Sequence, residues 1–286
     1  AMGTAPNRAA YPPVEVDIDK VRASGLIKDE IGLDEPDEKG TFSTTLLRDA
    51  VTSVLDYDQR WDAYTADQSE QEVAPALIVQ VPDKVTDDAL AEMVDVIEKQ
   101  WPGLGPDAIV NVFGEHEPVF VGARTIRWVP PESIQDDTDI RVVFAKEAIS
   151  TGWDCPRAEV LYSERPAKDA THIAQIIGRM VRQPLRHRIA TDDALNTVAC
   201  FLPRFDQNAL SVVKAHLEGK GKDNGDNRLA ASVVRAPEVF ERNPAVPDGV
   251  FALIEGLPSV TSPDNLADPI RRAKQLVKLL TDATTG

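Results

Sequence analysis

Two arginines and a glutamine are spaced so that they could hold an anion such as phosphate. They lie in the sequence QIIGRMVR, residues 175–182. At about 100° per residue, one side of a helix would carry Gln175, Gly178, Arg179 and Arg182. The opposite side would be apolar and could pack on a sheet. Because guanidinium groups are planar forks that match phosphate oxygens, the pattern predicts a helix over about 168–183 that presents an anion site. A helix with ordinary solvated arginines is the alternative.

A second segment, AISTGWDCP at residues 148–156, offers further groups for contact with phosphate or sugar. The hydroxyl residues Ser150 and Thr151 precede Gly152, so their side chains and backbone N–H groups could contact a phosphate backbone. The carboxylate of Asp154 could accept a hydrogen bond from a ribose or orient the arginines. The alternative is a plain turn, since Ser-Thr-Gly and Asp-x-Pro sequences both favour turns.

Apolar runs and amphipathic stretches alternate through the middle of the chain. Five apolar runs predict strands, at 76–81, 109–113, 140–144, 159–162 and 197–202. Amphipathic helices are predicted over 41–66, from a Thr86 cap to Trp101, and over 168–183. This alternation predicts an α/β fold with a mostly parallel sheet and helices on both faces. Ligands of such sheets gather at the carboxyl ends of the strands.

Two motifs that a self-sufficient nucleotide-hydrolysing domain would need are missing. The sequence contains no G-x-x-x-x-G-K-[ST] loop, and no D-E-x-H follows a predicted strand. Two cysteines and four histidines are scattered without metal-ligand spacing, so no metal site is expected.

Together, ISTGWDCP and QIIGRMVRQP resemble motifs V and VI of superfamily 2 helicases and translocases, with the closest look to the motor subunits of type III and type I restriction enzymes. The resemblance covers about residues 73–205, and its specific residues lie within 148–184. It implies a second RecA-like motor domain that works on DNA and ATP. The ATP and Mg²⁺ would be held mainly by a first motor domain that is not in this chain, so the chain alone is expected to be inactive.

The resemblance also implies a role for each matching residue. Arg182 would be the arginine finger, and Arg179 would also meet the phosphates. Gln175, Gly152 and Asp154 would lie at the nucleotide, and Ser150 and Thr151 at the DNA backbone. Around this core, residues 1–70 would be a linker and helix that join the first motor domain, residues 71–205 the RecA-like domain, and residues 206–286 a mostly helical extension. Within the first of these, residues 1–40 would be an extended linker or an edge segment packed on another part of the protein.

Charge and hydropathy limit the partners. The formal net charge is −16, from 47 acidic and 31 basic residues, yet residues 141–190 hold nine basic residues against five acidic ones. No apolar run approaches the roughly 20 residues that span a bilayer, so we expect a cytoplasmic protein without a membrane partner. The expected partners are double-stranded DNA, the upstream motor domain, and a modification or specificity subunit. Two alternatives remain open: an RNA helicase, and a non-catalytic α/β module that binds a nucleotide or a partner.

Overall fold

A single mixed sheet organises the part of the chain that the computed structural model describes, which is residues 18–34, 43–122, 124–146, 153–166, 169–205, 207–217 and 232–235. The strands are β1 Glu30–Asp34, β2 Ala76–Gln80, β3 Ile109–Asn111, β4 Val119–Val121, β5 Arg124–Trp128, β6 Val142–Ala145, β7 Ala158–Ser163, β8 Thr197–Phe201 and β9 Ser232–Arg235. Their order is β4-β5-β3-β6-β2-β7-β8-β1-β9. Only β4 runs antiparallel to its neighbour, and the other pairings of the sheet are parallel.

Helices cover both faces of the sheet. They are α1 Ile18–Ser24, α2 Ser43–Gln68, α3 Asp87–Gln100, α4 Ala170–Met180 and α5 Gln207–Leu217. The side chains of α2 and α3 pack with Leu77 and Val79 of β2, whereas those of α4 and α5 pack with Ile78 of the same strand. Because successive strand residues point to opposite faces, the two pairs of helices lie on opposite sides of the sheet. The buried strands therefore need apolar residues at nearly every position.

The α/β class predicted from the sequence, a mostly parallel sheet with helices on both faces, is confirmed. All five predicted strands are present, within two residues at each end. Thr86 begins α3 as expected, and its hydroxyl accepts a hydrogen bond from the N–H of Ala89 at 3.2 Å. The predicted helical extension is described only in part: α5 is helical, β9 is a strand, and the rest of residues 206–286 lies outside the described residues.

Residues 18–34 are more than a linker, because β1 is an inner strand of the sheet. It pairs over its full length with β8 and also with β9. The sequence EIGLD hides this strand, since it offers two apolar residues around a glycine, and glycine weakens a strand. Ile31 and Leu33 are nevertheless buried in the core. The boundary expected at residue 70 therefore does not separate the sheet from the residues before it, as α2 also packs on β7 and β8.

Candidate anion site on α4

Helix α4 buries one side and leaves the arginine side accessible. Ile173, Ile177 and Met180 are fully buried against the sheet. On the other side Gln175 and Arg182 are exposed. Arg179 is half-buried, and the helix ends one residue after it. The amphipathic helix expected from the sequence is thus confirmed, with its polar side exposed at Gln175 and Arg182.

The structure brings the two motif segments together. Asp154 forms an ion pair with Arg182, 28 residues later in the chain. Next to it, Nη1 of Arg179 donates a hydrogen bond to the carbonyl oxygen of Trp153 at 3.2 Å. The side chain of Asp154 therefore orients Arg182, and the backbone carbonyl of the preceding residue orients Arg179. Ser150, Thr151 and Gly152, which were expected beside them, lie outside the described residues.

The arginines lie at the amino edge of the sheet, and not at the carboxyl ends of the strands, where ligands of such sheets usually gather. The N–H of Lys28, just before β1, donates to the carbonyl of Val181 at 2.7 Å. Asp154 likewise lies shortly before β7. Because β1 and β7 are both parallel to β8, these two points share one edge. Helix α4 starts after the end of β7 and runs back along the face of the sheet. Arg179 in its last turn and Arg182 just beyond it therefore lie at that edge.

Most of the basic excess in residues 141–190 is neutralised in the fold. Arg157 is buried and donates to backbone carbonyls, and burial lowers its pKa. Four other cations have carboxylate partners: Arg141 with Asp58, Lys146 with Glu115, Arg165 with Asp83, and Arg188 with Asp29 and Asp193. Arg182 has Asp154, and orientation of the arginines is one of the two roles that the sequence offered for that carboxylate. Neither Arg179 nor Arg186 has a carboxylate partner among the described residues, and of the two only Arg179 lies on the polar side of α4.

Loss of the Asp154–Arg182 pair should leave the fold intact. Its side chains are 48% and 59% exposed, and ion pairs this accessible contribute little. We expect Asp154→Asn to change the free energy of unfolding by less than about 1 kcal/mol. Urea unfolding of the chain, followed by circular dichroism, measures this change. A loss of more than about 2 kcal/mol would mean that the pair holds the fold rather than orienting Arg182.

A buried ion pair lies behind the amino edge, and nothing in the sequence indicated it. Nζ of Lys28 bonds to the carboxylate of Glu159 on β7, and both side chains are fully buried. The indole N–H of Trp61 donates to the second oxygen of Glu159 at 2.6 Å. The Lys28 ammonium also donates to the carbonyl of Thr197 at 3.0 Å. Burial lowers the pKa of Lys28 and raises that of Glu159, so each needs the other to stay charged.

A cavity of about 480 Å³ opens at the amino ends of β3 and β6, where Arg141 stacks on Trp101 at 4.9 Å and where Asp58 and Asp139 also line the wall. None of the residues predicted for the site lines it. No cluster of His, Cys, Asp and Glu among the described residues is arranged to hold a metal ion. Over the same residues, no helix has the length and apolarity to cross a membrane.

Comparison with known proteins adds little to this description. No protein-family model matches the chain, and no curated protein matches it. Among solved structures, one match is to a Saccharomyces cerevisiae Dbp5 variant bound to a variant of Gle1 and to IP6. The sequences are 10% identical, the TM-score is 0.39, and the match covers 79% of this chain. This chain spans 45% of the length of that one. The assignment of the α/β fold rests on the order and pairing of the strands in this structure and not on this similarity.

Proposed function

We propose that this chain is the second, RecA-like motor domain of an ATP-dependent helicase or translocase that acts on double-stranded DNA, of the restriction-enzyme type. The observation that carries the proposal is the meeting of the two motif segments at the amino edge. There the exposed Arg182, held by Asp154, lies beside Arg179, whose charge has no carboxylate partner among the described residues.

The two arginines suit different parts of one reaction. Arg179 is half-buried and oriented by the carbonyl of Trp153, so it fits a phosphate already in place. Arg182 is more exposed and extends beyond the last turn of α4. Such a residue can place its guanidinium against charge that develops in the transition state, as an arginine finger does. Gln175, exposed on the same side of α4, would contact the nucleotide, with Gly152 and Asp154 near it and Ser150 and Thr151 at the DNA backbone.

The remaining parts of the reaction would come from a first motor domain. The sequence has no phosphate-binding loop and no D-E-x-H, and the described residues hold no carboxylate cluster for Mg²⁺. ATP and Mg²⁺ would therefore bind mainly on that domain, with Arg179 and Arg182 reaching them across the interface. A modification or specificity subunit is a further proposed partner.

ATP hydrolysis tests the proposal in the protein that joins this chain to its first motor domain. Turnover is measured without nucleic acid, with duplex DNA, and with single-stranded and duplex RNA of the same sequence. Stimulation by duplex DNA supports the proposal. Stimulation by RNA alone replaces it with an RNA helicase. If no nucleic acid stimulates ATP hydrolysis, or if no hydrolysis is detected at all, the chain is a non-catalytic module that binds a nucleotide or a partner.

A further inference from the structure

Residues 25–29, which we call the positioning segment, run alongside the backbone that carries Arg182. Ile27 lies opposite Arg182 in an antiparallel bridge. Two hydrogen bonds flank the bridge: Lys28 N–H to the Val181 carbonyl at 2.7 Å and Gln183 N–H to the Leu26 carbonyl at 3.0 Å. Helix α4 has ended before this point, so its own hydrogen bonds do not fix Arg182. The backbone of Arg182 is held by a segment more than 150 residues earlier in the chain.

The positioning segment is itself fixed to the sheet. At one end, the buried ammonium of Lys28 bonds to Glu159 of β7 and to the carbonyl of Thr197 of β8. The next residue, Asp29, donates its N–H to the carbonyl of Asn196 at 2.8 Å, and β1 begins immediately after it. A movement of this segment relative to the sheet would therefore break buried contacts. Because the backbone of Arg182 is bonded to the segment, its position is fixed relative to the sheet as well.

Gly25 sets how closely the segment approaches the loop after α4. Its φ is +67°, in the left-handed region that other residues rarely adopt. A Cβ at this position would lie 2.0 Å from the backbone nitrogen of Arg188 and 2.7 Å from the carbonyl carbon of His187. Both are backbone atoms and cannot rotate away. Any side chain at position 25 must therefore separate the segment from the loop.

We propose that the positioning segment sets the place of the Arg182 guanidinium for ATP hydrolysis, with Gly25 and Lys28 as positioning residues that act through Arg182. This inference rests on the proposed function. A displacement of about 1 Å in a catalytic group can cost about 10²-fold in rate, so a small shift of the segment is enough to lower turnover. Nucleotide binding does not depend on that placement, because an arginine finger acts on the transition state.

Gly25→Ala tests the inference in the protein that includes the first motor domain. We expect kcat for ATP hydrolysis to fall by about 10-fold to 10²-fold, while KM for ATP stays within about twofold. Gly122→Ala is the matched control, because Gly122 also has a positive φ, of +60°, but nothing lies within 4 Å of the added Cβ. It bears the same backbone strain without displacing the positioning segment, and its kcat should stay within about twofold of wild type.

The same substitution in an Arg182→Ala background separates positioning from general damage. If Gly25 acts through Arg182, Gly25→Ala should lower the residual turnover of that background by less than about twofold. An unchanged kcat in the single variant, or an equal loss in both backgrounds, overturns the inference. Normal turnover of Arg182→Ala itself overturns the proposed function instead.

If Gly25→Ala does not fold, Arg188→Gln takes its place. The Arg188 side chain is 43% exposed and ties the loop to Asp29 of the positioning segment and to Asp193, so the fold should tolerate its loss. The expected decrease in kcat is smaller, about threefold to tenfold, and should again vanish without Arg182. An unchanged kcat in this variant overturns the inference.

Discussion

Arg182→Ala is expected to lower kcat for ATP hydrolysis by about 10³-fold to 10⁵-fold in the protein that carries both motor domains. The guanidinium would stabilise charge that develops on the transferred phosphoryl group, and alanine leaves nothing in its place. Binding of ATP should change only slightly, because Arg179 remains and the nucleotide is held mainly by the first domain. The fold should also survive, since the Arg182 side chain is 59% exposed.

The chain offers a matched control for this variant. Arg186 lies four residues later, is exposed, and has no ion pair among the described residues. Arg186→Ala removes the same charge and should keep kcat within about twofold of wild type. Steady-state ATPase assays with duplex DNA, together with the affinity for a non-hydrolysable ATP analogue, measure both effects. Equal turnover of the two variants would show that Arg182 is a surface charge.

Lys28→Met is expected to lower the free energy of unfolding by about 3–5 kcal/mol, the largest effect on stability that we predict. The variant leaves the fully buried carboxylate of Glu159 with the indole N–H of Trp61 as its one described hydrogen-bond donor. Lys28→Met with Glu159→Gln removes both charges and keeps an acceptor for Trp61. That double variant should return to within about 1 kcal/mol of wild type.

The loss in free energy of unfolding that Lys28→Met causes should depend on pH. Burial already raises the pKa of Glu159 in the folded protein, and loss of the lysine raises it further. A carboxyl group whose pKa is raised on folding contributes stability below its unfolded pKa and loses it as pH rises through the folded value. The difference in free energy of unfolding between Lys28→Met and wild type should therefore become smaller as pH falls.

Urea unfolding of the chain at pH 5 and pH 8 tests both statements. Arg124→Met serves as the control, because Arg124 pairs with Asp95 and Glu98 at the surface and its loss should cost less than about 1 kcal/mol. If Lys28→Met costs no more than this control, or if its deficit does not depend on pH, the buried charge pair does not have the energetic role described here.

Local sequence patterns predicted the elements whose apolar residues are continuous or strongly periodic. The apolar run of β2 and the stripe of α4 each specify their own structure, because burial on the sheet requires those residues. The same spacing placed Arg179 and Arg182 together on one side of α4. These features depend on residues close together in the chain.

The features that the sequence did not reveal depend on contacts between distant residues. Strand β1 has too few apolar residues to be recognised, and it is stabilised by neighbours on both sides. Lys28 and Glu159 are 131 residues apart, and no local pattern links them. The edge at which the arginines lie follows from the direction of α4 across the sheet. The sequence offered Asp154 as a residue that could orient the arginines, but the pair with Arg182 forms only when β7 and α4 have packed.

Binding of a transition-state analogue tests the central claim most directly. The affinities for ADP and for ADP–aluminium fluoride are compared in the two-domain protein, for wild type and Arg182→Ala, with duplex DNA present. If Arg182 acts on the transition state, the substitution should lower the affinity for the analogue by about 10³-fold or more and change the affinity for ADP only a few-fold. Equal weakening of both ligands, or of neither, would contradict the account: Arg182 would then be a ground-state contact or a surface charge, and not an arginine finger.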